Sequence, residues 1–298
     1  MAQTKVIAGG LSTVGQKIND YQQLVKFRLT LTVVFSALLA FAITSQSNVH
    51  WLAALTLGLG GFLITGAANA LNQVLEKDFD KLMARTADRP LAAGRMTISE
   101  AVLAAGLMSL AGIMLLALFN PWAAFFGTLA MVLYAFVYTP MKRFSPLAIP
   151  VGAVPGALPM LIGCVAYEGQ ISQLALALFA IQFLWQFPHF WSIGWLGFDE
   201  YQKAGYRLLP MRDGLRDPKT GLYAALYALI LIPVAALPFF WGYTGAVSAI
   251  FVGILGVVYA GLGWRLYRKK DRKAALTLMF FSFFYLPLTL IAFFVDKI

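Results

Sequence analysis

The stretch Asn72-Gln73-Val74-Leu75-Glu76-Lys77-Asp78-Phe79-Asp80 follows a long apolar run, 52–71. If this stretch is helical, Asn72, Glu76 and Asp80 are offset from one another by about 40° around the axis and rise by about 6 Å per step. The three side chains then form one stripe of oxygen ligands at the end of a membrane-spanning helix. Oxygen ligands of this kind bind Mg²⁺ together with substrate phosphates.

Cationic side chains follow the stripe at Lys81, Arg85 and Arg89. Lysine and arginine suit phosphate oxygens, so the two features together indicate a site for a metal-bound phosphate. The alternative is a helix end that carries ordinary solvated charges.

The composition identifies the class of protein. Of the 298 residues, 60% are hydrophobic and 12% are charged, whereas soluble domains are about 45–50% apolar and about 25% charged. We therefore expect an all-α integral membrane protein. The single cysteine leaves no disulfide framework and no cysteine metal site.

Segments that cross the hydrocarbon core of a membrane need about 20 apolar residues. Nine such segments are predicted, at 29–45, 52–73, 99–119, 122–139, 147–167, 173–196, 220–240, 245–264 and 274–294. No linker divides the chain, so we expect an amino-terminal arm, 1–28, and one membrane domain, 29–298. The arm has no apolar core, and no cleavable signal peptide is expected.

The positive charges predict the orientation. Every lysine and arginine except Lys297 lies in the arm or in a connection that follows an even-numbered span. By the positive-inside rule the amino terminus is cytoplasmic and the carboxyl terminus is outside. The formal net charge of +10 is explained by this placement, so nucleic acid is not an expected partner; membrane lipid is.

A second polar group lies within span six. Gln186 and His189 are three residues apart on one predicted helix face, and Glu200 and Tyr201 follow in the next connection. Polar groups inside a membrane are costly and usually face a functional cavity. Pro188 and Gly205 are expected to interrupt the regular helix, which is tolerated where the backbone lines a cavity. Neutral imidazole can bind a metal or act as a base. The alternative for His189 is an interhelical hydrogen bond.

Together these motifs resemble those of a known family. The first stretch, continued by Arg85-Thr86-x-x-Arg89-Pro90-Leu91, resembles the first signature of the UbiA-type intramembrane prenyltransferases. Trp185-Gln-Phe-Pro-His189-Phe, followed by Glu200-Tyr201-x-x-Ala204-Gly205, is similar to the second signature in the branch that farnesylates protoheme IX. Glu76 and Glu200 stand where many relatives have aspartate, and both keep a carboxylate.

The resemblance implies a reaction. The protein is expected to transfer the farnesyl group of farnesyl diphosphate to a vinyl group of protoheme IX (haem B), with addition of water, to make haem O. It implies Mg²⁺ as the cofactor. The implied catalytic residues, of which the first three are also the metal ligands, are Asn72, Glu76, Asp80, Lys81, Arg85 and Arg89.

The resemblance also implies the substrate-binding residues and the surroundings of the enzyme. The substrate-binding residues are Asp78, Gln186, His189, Glu200 and Tyr201. Asp78 lies off the stripe and joins the site only if the helix ends before it. The implied location is the bacterial cytoplasmic (inner) membrane, with the active site facing the cytoplasm and haem A synthase or haem–copper oxidase assembly downstream.

Two other functions remain open at this point. A UbiA-type enzyme acting on a quinone precursor shares the first signature but does not explain Pro188-His189-Phe190. An ion-coupled transporter would use Glu76, Asp80 and His189 as a relay. The acids, however, cluster at one membrane face, whereas a transporter site is expected near the midplane.

Overall fold

The computed structural model describes residues 14–45 and 50–298. Nine helices in these ranges are long and apolar enough to cross a membrane, as the sequence predicts. In chain order, α1 to α9 are Phe27–Thr44, Trp51–Asp80, Ile98–Ala117, Pro121–Met141, Ala148–Glu168, Gln173–Leu196, Thr220–Phe240, Ala246–Lys269 and Arg272–Val295. A short helix, Phe198–Lys203, and an antiparallel hairpin of β1 (Met211–Arg212) and β2 (Leu215–Arg216) lie between α6 and α7.

Two helices extend well beyond the apolar segments that predict them. The expected second span ends at 73 and the eighth at 264, but α2 continues to Asp80 and α8 to Lys269. Apolar composition marks the membrane-embedded part of a helix and not the helix end, and the polar residues that follow are themselves compatible with a helix. Residues 1–13 of the expected arm, with Lys5, and residues 46–49 lie outside the described residues.

The helices pack as a closed ring. Each helix contacts the next in sequence, and α9 also contacts α1, while α6 contacts both α5 and α9. The carboxyl-terminal residues strengthen this closure, because Lys297 Nζ donates to the carbonyls of Ala42 (2.8 Å) and Ser45 (2.6 Å) at the end of α1. The ring thus gives α5 and α6 neighbours on most sides.

We call the membrane face at which α2, α4, α6 and α8 end the basic face. The connections at this face are 81–97, 142–147, 197–219 and 270–271. Pro188 does not interrupt α6, contrary to expectation, because the helix continues through it to Leu196. The proline removes one backbone hydrogen bond, but close neighbours on α5, α7 and α9 hold the helix in place.

One close helix approach that a side chain would block lies between α1 and α5. A Cβ atom added at Gly163 would lie 2.2 Å from the Ala37 carbonyl oxygen and 2.9 Å from Ala40 Cβ. Glycine is therefore required at this crossing for a steric reason, as at other close contacts between membrane helices.

We expect Gly163→Ala to destabilise the protein, because α1 and α5 must separate to admit the methyl group. Overpacking of this kind costs about 1–3 kcal/mol. Gly106→Ala is the matched control, since its Cβ would have no neighbour within 4 Å. The measurement is the thermal unfolding midpoint of each purified variant in detergent, and equal midpoints would contradict the close contact.

Candidate active site

The oxygen stripe of α2 is buried. Asn72, Glu76 and Asp80 expose 0%, 4% and 1% of their surface. Because α2 is continuous through Asp80, the three side chains keep the helical spacing that the sequence predicts. Asn72 Nδ2 donates to Glu76 Oε2 at 2.9 Å, so neighbouring members of the stripe are in direct contact.

Each member of the stripe has a cationic partner. Lys26 Nζ donates to Asn72 Oδ1 at 2.7 Å, and the Lys142 ammonium forms an ion pair with Glu76. Arg89 Nη1 donates to both Asp80 oxygens, at 2.9 and 2.7 Å. We call these six residues the polar cluster: Lys26, Asn72, Glu76, Asp80, Arg89 and Lys142.

A kink before α1 positions Lys26. Its backbone is left-handed, with φ of 48°, which interrupts the regular helical hydrogen bonds of the carbonyls just before it. Gln73 Nε2 donates to the carbonyls of Gln23 (2.7 Å) and Leu24 (3.0 Å), and Asn69 Nδ2 donates to the carbonyl directly before Lys26 (3.2 Å). Two amides of α2 thus satisfy the kink and turn Lys26 toward the stripe.

The end of α4 positions Lys142. A π-helical segment, Leu133–Tyr138, widens the helix just before it ends. Pro140 has no N–H and so cannot donate a regular helical bond, which favours the wider turn. Lys142 Nζ lies 5.0 Å from the ring centre of Tyr138 and 5.3 Å from that of Tyr206, so the ammonium is held between two aromatic faces beside Glu76.

The connection after α2 folds back to position Arg89. Thr86 Oγ1 donates to the Asp80 carbonyl at 2.8 Å, which returns the chain over the helix end. Glu200 holds this connection from outside the cluster, since its Oε2 accepts from the Ala84 N–H at 2.8 Å. Tyr201 packs beside Tyr206, with ring centres 6.3 Å apart. The structure thus places Glu200 and Tyr201 around the cluster and not within it.

The electrostatics of the polar cluster favour an anion. Three basic side chains surround two carboxylates, so a bound anion would offset the repulsion among the basic groups. Desolvation lowers the pKa of Lys142, although the Glu76 charge opposes this effect. Desolvation, aided by Arg89 and Lys142, also lowers the pKa of Lys26 well below its usual range. Burial and the nearby Glu76 charge raise the pKa of Tyr206, which stays protonated.

Three charged residues predicted for the site within or just after α2 are not brought into the cluster, namely Asp78, Lys81 and Arg85. Asp78 is exposed and pairs with Lys81 at 2.8 Å, on the side of α2 away from the stripe. Asp78 is expected to join the site only if the helix ends before it, but α2 ends two residues after it. Arg85 is also exposed on the following connection. Arg89 is the member of the predicted cationic set that contacts the stripe.

Gln186 and His189 contact different helices, although the sequence predicts that they share a face. Gln186 Nε2 donates to the Ala153 carbonyl of α5 at 2.9 Å. His189 instead faces α9, where its Nδ1 lies 2.7 Å from Ser282 Oγ. Residues three apart on a helix differ by about 60° in direction, which is enough to reach separate neighbours in a crowded bundle.

Sequence reasoning missed Lys26, Lys142 and Tyr206 as members of the site. In the sequence the first two contribute to the orientation signal, since each lies at the end of an apolar span on the basic face. A lysine within one turn of a span end can reach either the headgroups or a polar group inside the bundle. Their position at span ends therefore marks these lysines as candidates for the site. The packing of the helices shows that both reach the stripe.

The donor set of the stripe fits a hard divalent cation. It consists of oxygen atoms only, from two carboxylates and one amide. In residues 14–45 and 50–298, no three acidic, histidine or cysteine side chains are grouped to hold a metal ion by themselves. Mg²⁺ usually binds through one or two carboxylates together with substrate phosphates, so this set is sufficient once a diphosphate is present.

Comparison with known proteins identifies the family. The model of the UbiA prenyltransferase family matches residues 33–285. The chain belongs to this family. A Cytophaga hutchinsonii protein named protoheme IX farnesyltransferase is 43% identical over 286 residues, covering 96% of this chain and 100% of that protein. A Flavobacterium johnsoniae protein of the same name is 42% identical, covering 93% and 94%. The chain is therefore a prenyltransferase.

Solved structures of UbiA proteins share the fold. A digeranylgeranylglyceryl phosphate synthase superposes with a TM-score of 0.78 at 18% identity, covering 94% of this chain and 98% of that one. A UbiA homologue from Archaeoglobus fulgidus bound to GPP and Mg²⁺ gives a TM-score of 0.65 at 13% identity, covering 92% and 99%. Members of the UbiA family thus bind a divalent metal and a prenyl diphosphate in this architecture.

We expect Lys142→Met to reduce prenyl transfer by about 100-fold or more, because it removes a cation beside the stripe and leaves Glu76 buried without its partner. Lys17→Met is the control, since Lys17 pairs with Glu100 on a half-exposed surface and contributes at most about 1 kcal/mol. The measurement is kcat/KM for the prenyl diphosphate. Equal activities of the two variants would show that Lys142 does not serve the site.

Proposed function

We propose that this protein transfers the farnesyl group of farnesyl diphosphate to a vinyl group of haem B, with addition of water, to make haem O. The observation that carries the proposal is the similarity, over nearly the whole chain, to proteins named protoheme IX farnesyltransferase. The polar cluster supports the proposal, since it places oxygen ligands and three basic side chains together near the basic face.

The polar cluster would bind the diphosphate end of the farnesyl donor. Asn72, Glu76 and Asp80 would hold Mg²⁺, which when bound neutralises charge on the diphosphate oxygens. Lys142 and Arg89 now neutralise Glu76 and Asp80. With a metal bound to these carboxylates, Lys142 and Arg89 would be available to hold the diphosphate oxygens.

The reaction can then be followed by its bonds. The bond between the allylic carbon and the diphosphate oxygen breaks, and its electron pair leaves with the diphosphate. The haem vinyl group attacks the allylic cation to form a carbon–carbon bond. Water adds to the cation left on the former vinyl group and loses one proton, which gives the hydroxyethylfarnesyl substituent. The apolar helices exclude water until that last step.

The haem acceptor would lie beside His189. His189 is seven residues before the end of α6 and Asn72 is eight before the end of α2, and both helices end at the basic face. At 1.5 Å per residue, the two side chains lie about 10–12 Å along their helices from that face. Both therefore lie in the half of their helix nearer the basic face, which suits a haem that reaches from His189 toward the diphosphate. We place the basic face in the cytoplasm of a bacterium with an inner membrane, because of its lysines and arginines.

The test is to incubate the purified protein with haem B, farnesyl diphosphate and Mg²⁺, and to analyse the haem by mass spectrometry. We expect a haem whose mass has increased by one farnesyl group plus one hydroxyl group, and EDTA should abolish this product. Prenylation of an aromatic acid in place of haem would refute haem B as the acceptor. It would favour an enzyme that acts on a quinone precursor. Product formation that persists in EDTA would refute the requirement for Mg²⁺.

In the same assay we expect Asp80→Ala to lower turnover by about 100-fold or more, because it removes a metal ligand and the partner of Arg89. Asp88→Ala is the matched control, since the Asp88 side chain is 88% exposed and pairs with Arg95 outside the cluster. Both variants should elute as intact protein on size-exclusion chromatography. Near-normal turnover of Asp80→Ala would refute the metal assignment.

A further inference from the structure

A buried serine on α9 faces the imidazole of His189. Ser282 is fully buried, and its Oγ lies 2.7 Å from His189 Nδ1. The same Oγ lies 2.5 Å from the Met279 carbonyl oxygen, one turn earlier in α9. The hydroxyl therefore has two close partners inside the hydrocarbon region of the bundle.

Counting protons favours one tautomer of His189. A serine hydroxyl has one proton, and a carbonyl oxygen can only accept. If the hydroxyl donated to Nδ1, Ser282 Oγ and the Met279 oxygen would face each other at 2.5 Å without a proton between them. Both contacts are hydrogen bonds only when the hydroxyl donates to Met279 and Nδ1–H donates to the hydroxyl. The lone pair of the ring is then on Nε2.

Aromatic side chains fix the plane of this ring. Trp185 stacks on the imidazole with ring centres 4.8 Å apart and an angle of 17°. Its indole Nε1 donates to the Ser282 carbonyl at 2.9 Å, which ties it to the same residue of α9. Phe190 and Phe283 present their rings edge-on, at 5.1 and 5.2 Å. Phe283 is 48% exposed on the outside of the bundle, so this aromatic group continues to the lipid-facing surface.

We infer that Ser282 holds His189 as the Nδ1–H tautomer and so presents Nε2 as an axial ligand to the iron of the haem acceptor. The inference rests on the proposed function in taking haem as the acceptor. Neutral imidazole is a common ligand of haem iron, and the hydrogen bond made by its other nitrogen sets which nitrogen binds. Ser282 acts only through His189 and is a positioning residue.

The aromatic surroundings agree with a haem ligand. A porphyrin is a flat aromatic ring system, and Trp185, Phe190 and Phe283 offer flat surfaces beside the imidazole. A haem dissolved in the membrane could enter between α6 and α9 at the exposed Phe283. The competing interpretation is that Ser282 and His189 only join two helices, and the experiments below separate the two.

The first experiment determines the tautomer without haem. The chain has two histidines, so His50→Gln leaves His189 as the single histidine in protein labelled with ¹⁵N-histidine. We expect its spectrum in detergent micelles to show a protonated Nδ1 and an unprotonated Nε2. In Ser282→Ala this preference should be lost. A spectrum with the proton on Nε2 in the parent protein would overturn the inference.

The second experiment measures ferric haem B binding by visible absorption and electron paramagnetic resonance. Outer-shell partners of a metal ligand typically change affinity by about 10–100-fold. We therefore expect Ser282→Ala to weaken haem binding by about 10-fold and His189→Ala to remove the histidine-ligated spectrum, which added imidazole should restore. Ser282→Thr keeps the hydroxyl and should retain both affinity and spectrum.

Ser192→Ala is the matched control, because Ser192 is also fully buried and its Oγ donates to the His189 backbone carbonyl at 2.7 Å, not to the ring. It should leave the haem spectrum unchanged. An unchanged spectrum in His189→Ala would refute the inference that His189 is a ligand of the haem iron. If the spectra respond as expected but the haem is never farnesylated, the inference stands and the proposed function fails.

Discussion

Two carboxylates removed from water on one face of α2 constrain the rest of the site. Glu76 and Asp80 are both nearly inaccessible, and an ionised carboxylate without a partner costs several kcal/mol in such a place. The cations that neutralise this face come from three separate parts of the chain. Lys26 precedes α1, Arg89 lies in the connection after α2, and Lys142 ends α4. The kink, the folded connection and the π-helical segment each have a physical role in bringing these charges together.

The same pairing explains how a membrane protein can keep a charged site ready for substrate. Without a ligand, the carboxylates and cations satisfy one another, and the buried charge is tolerated. A metal can pair with the carboxylates, and a diphosphate can pair with the basic side chains. Binding both together therefore leaves no charge of the site without a partner. Because three basic side chains face two carboxylates, the balance favours an anionic substrate.

The helix bundle separates two chemical environments. The polar cluster lies between α2 and the ends of its neighbours, and the His189 group lies between α6 and α9. One environment is ionic and suits a diphosphate, whereas the other is aromatic and suits a flat macrocycle. A transferase needs both, because it must hold a charged leaving group and an apolar acceptor on the two sides of one reacting carbon.

The sequence by itself determined the class of protein, the nine spans, the oxygen stripe and the family, because these depend on composition, helical spacing and local motifs. Asn72, Glu76 and Asp80 share a face in any helix. Only the tertiary structure decided which charges meet that face. Asp78 and Lys81 are near the stripe in sequence but pair with each other outside it, whereas Lys142 is distant in sequence and contacts Glu76. His189 found its partner on α9 for the same reason: contacts between helices depend on how the helices pack, and spacing within one helix does not specify its neighbours.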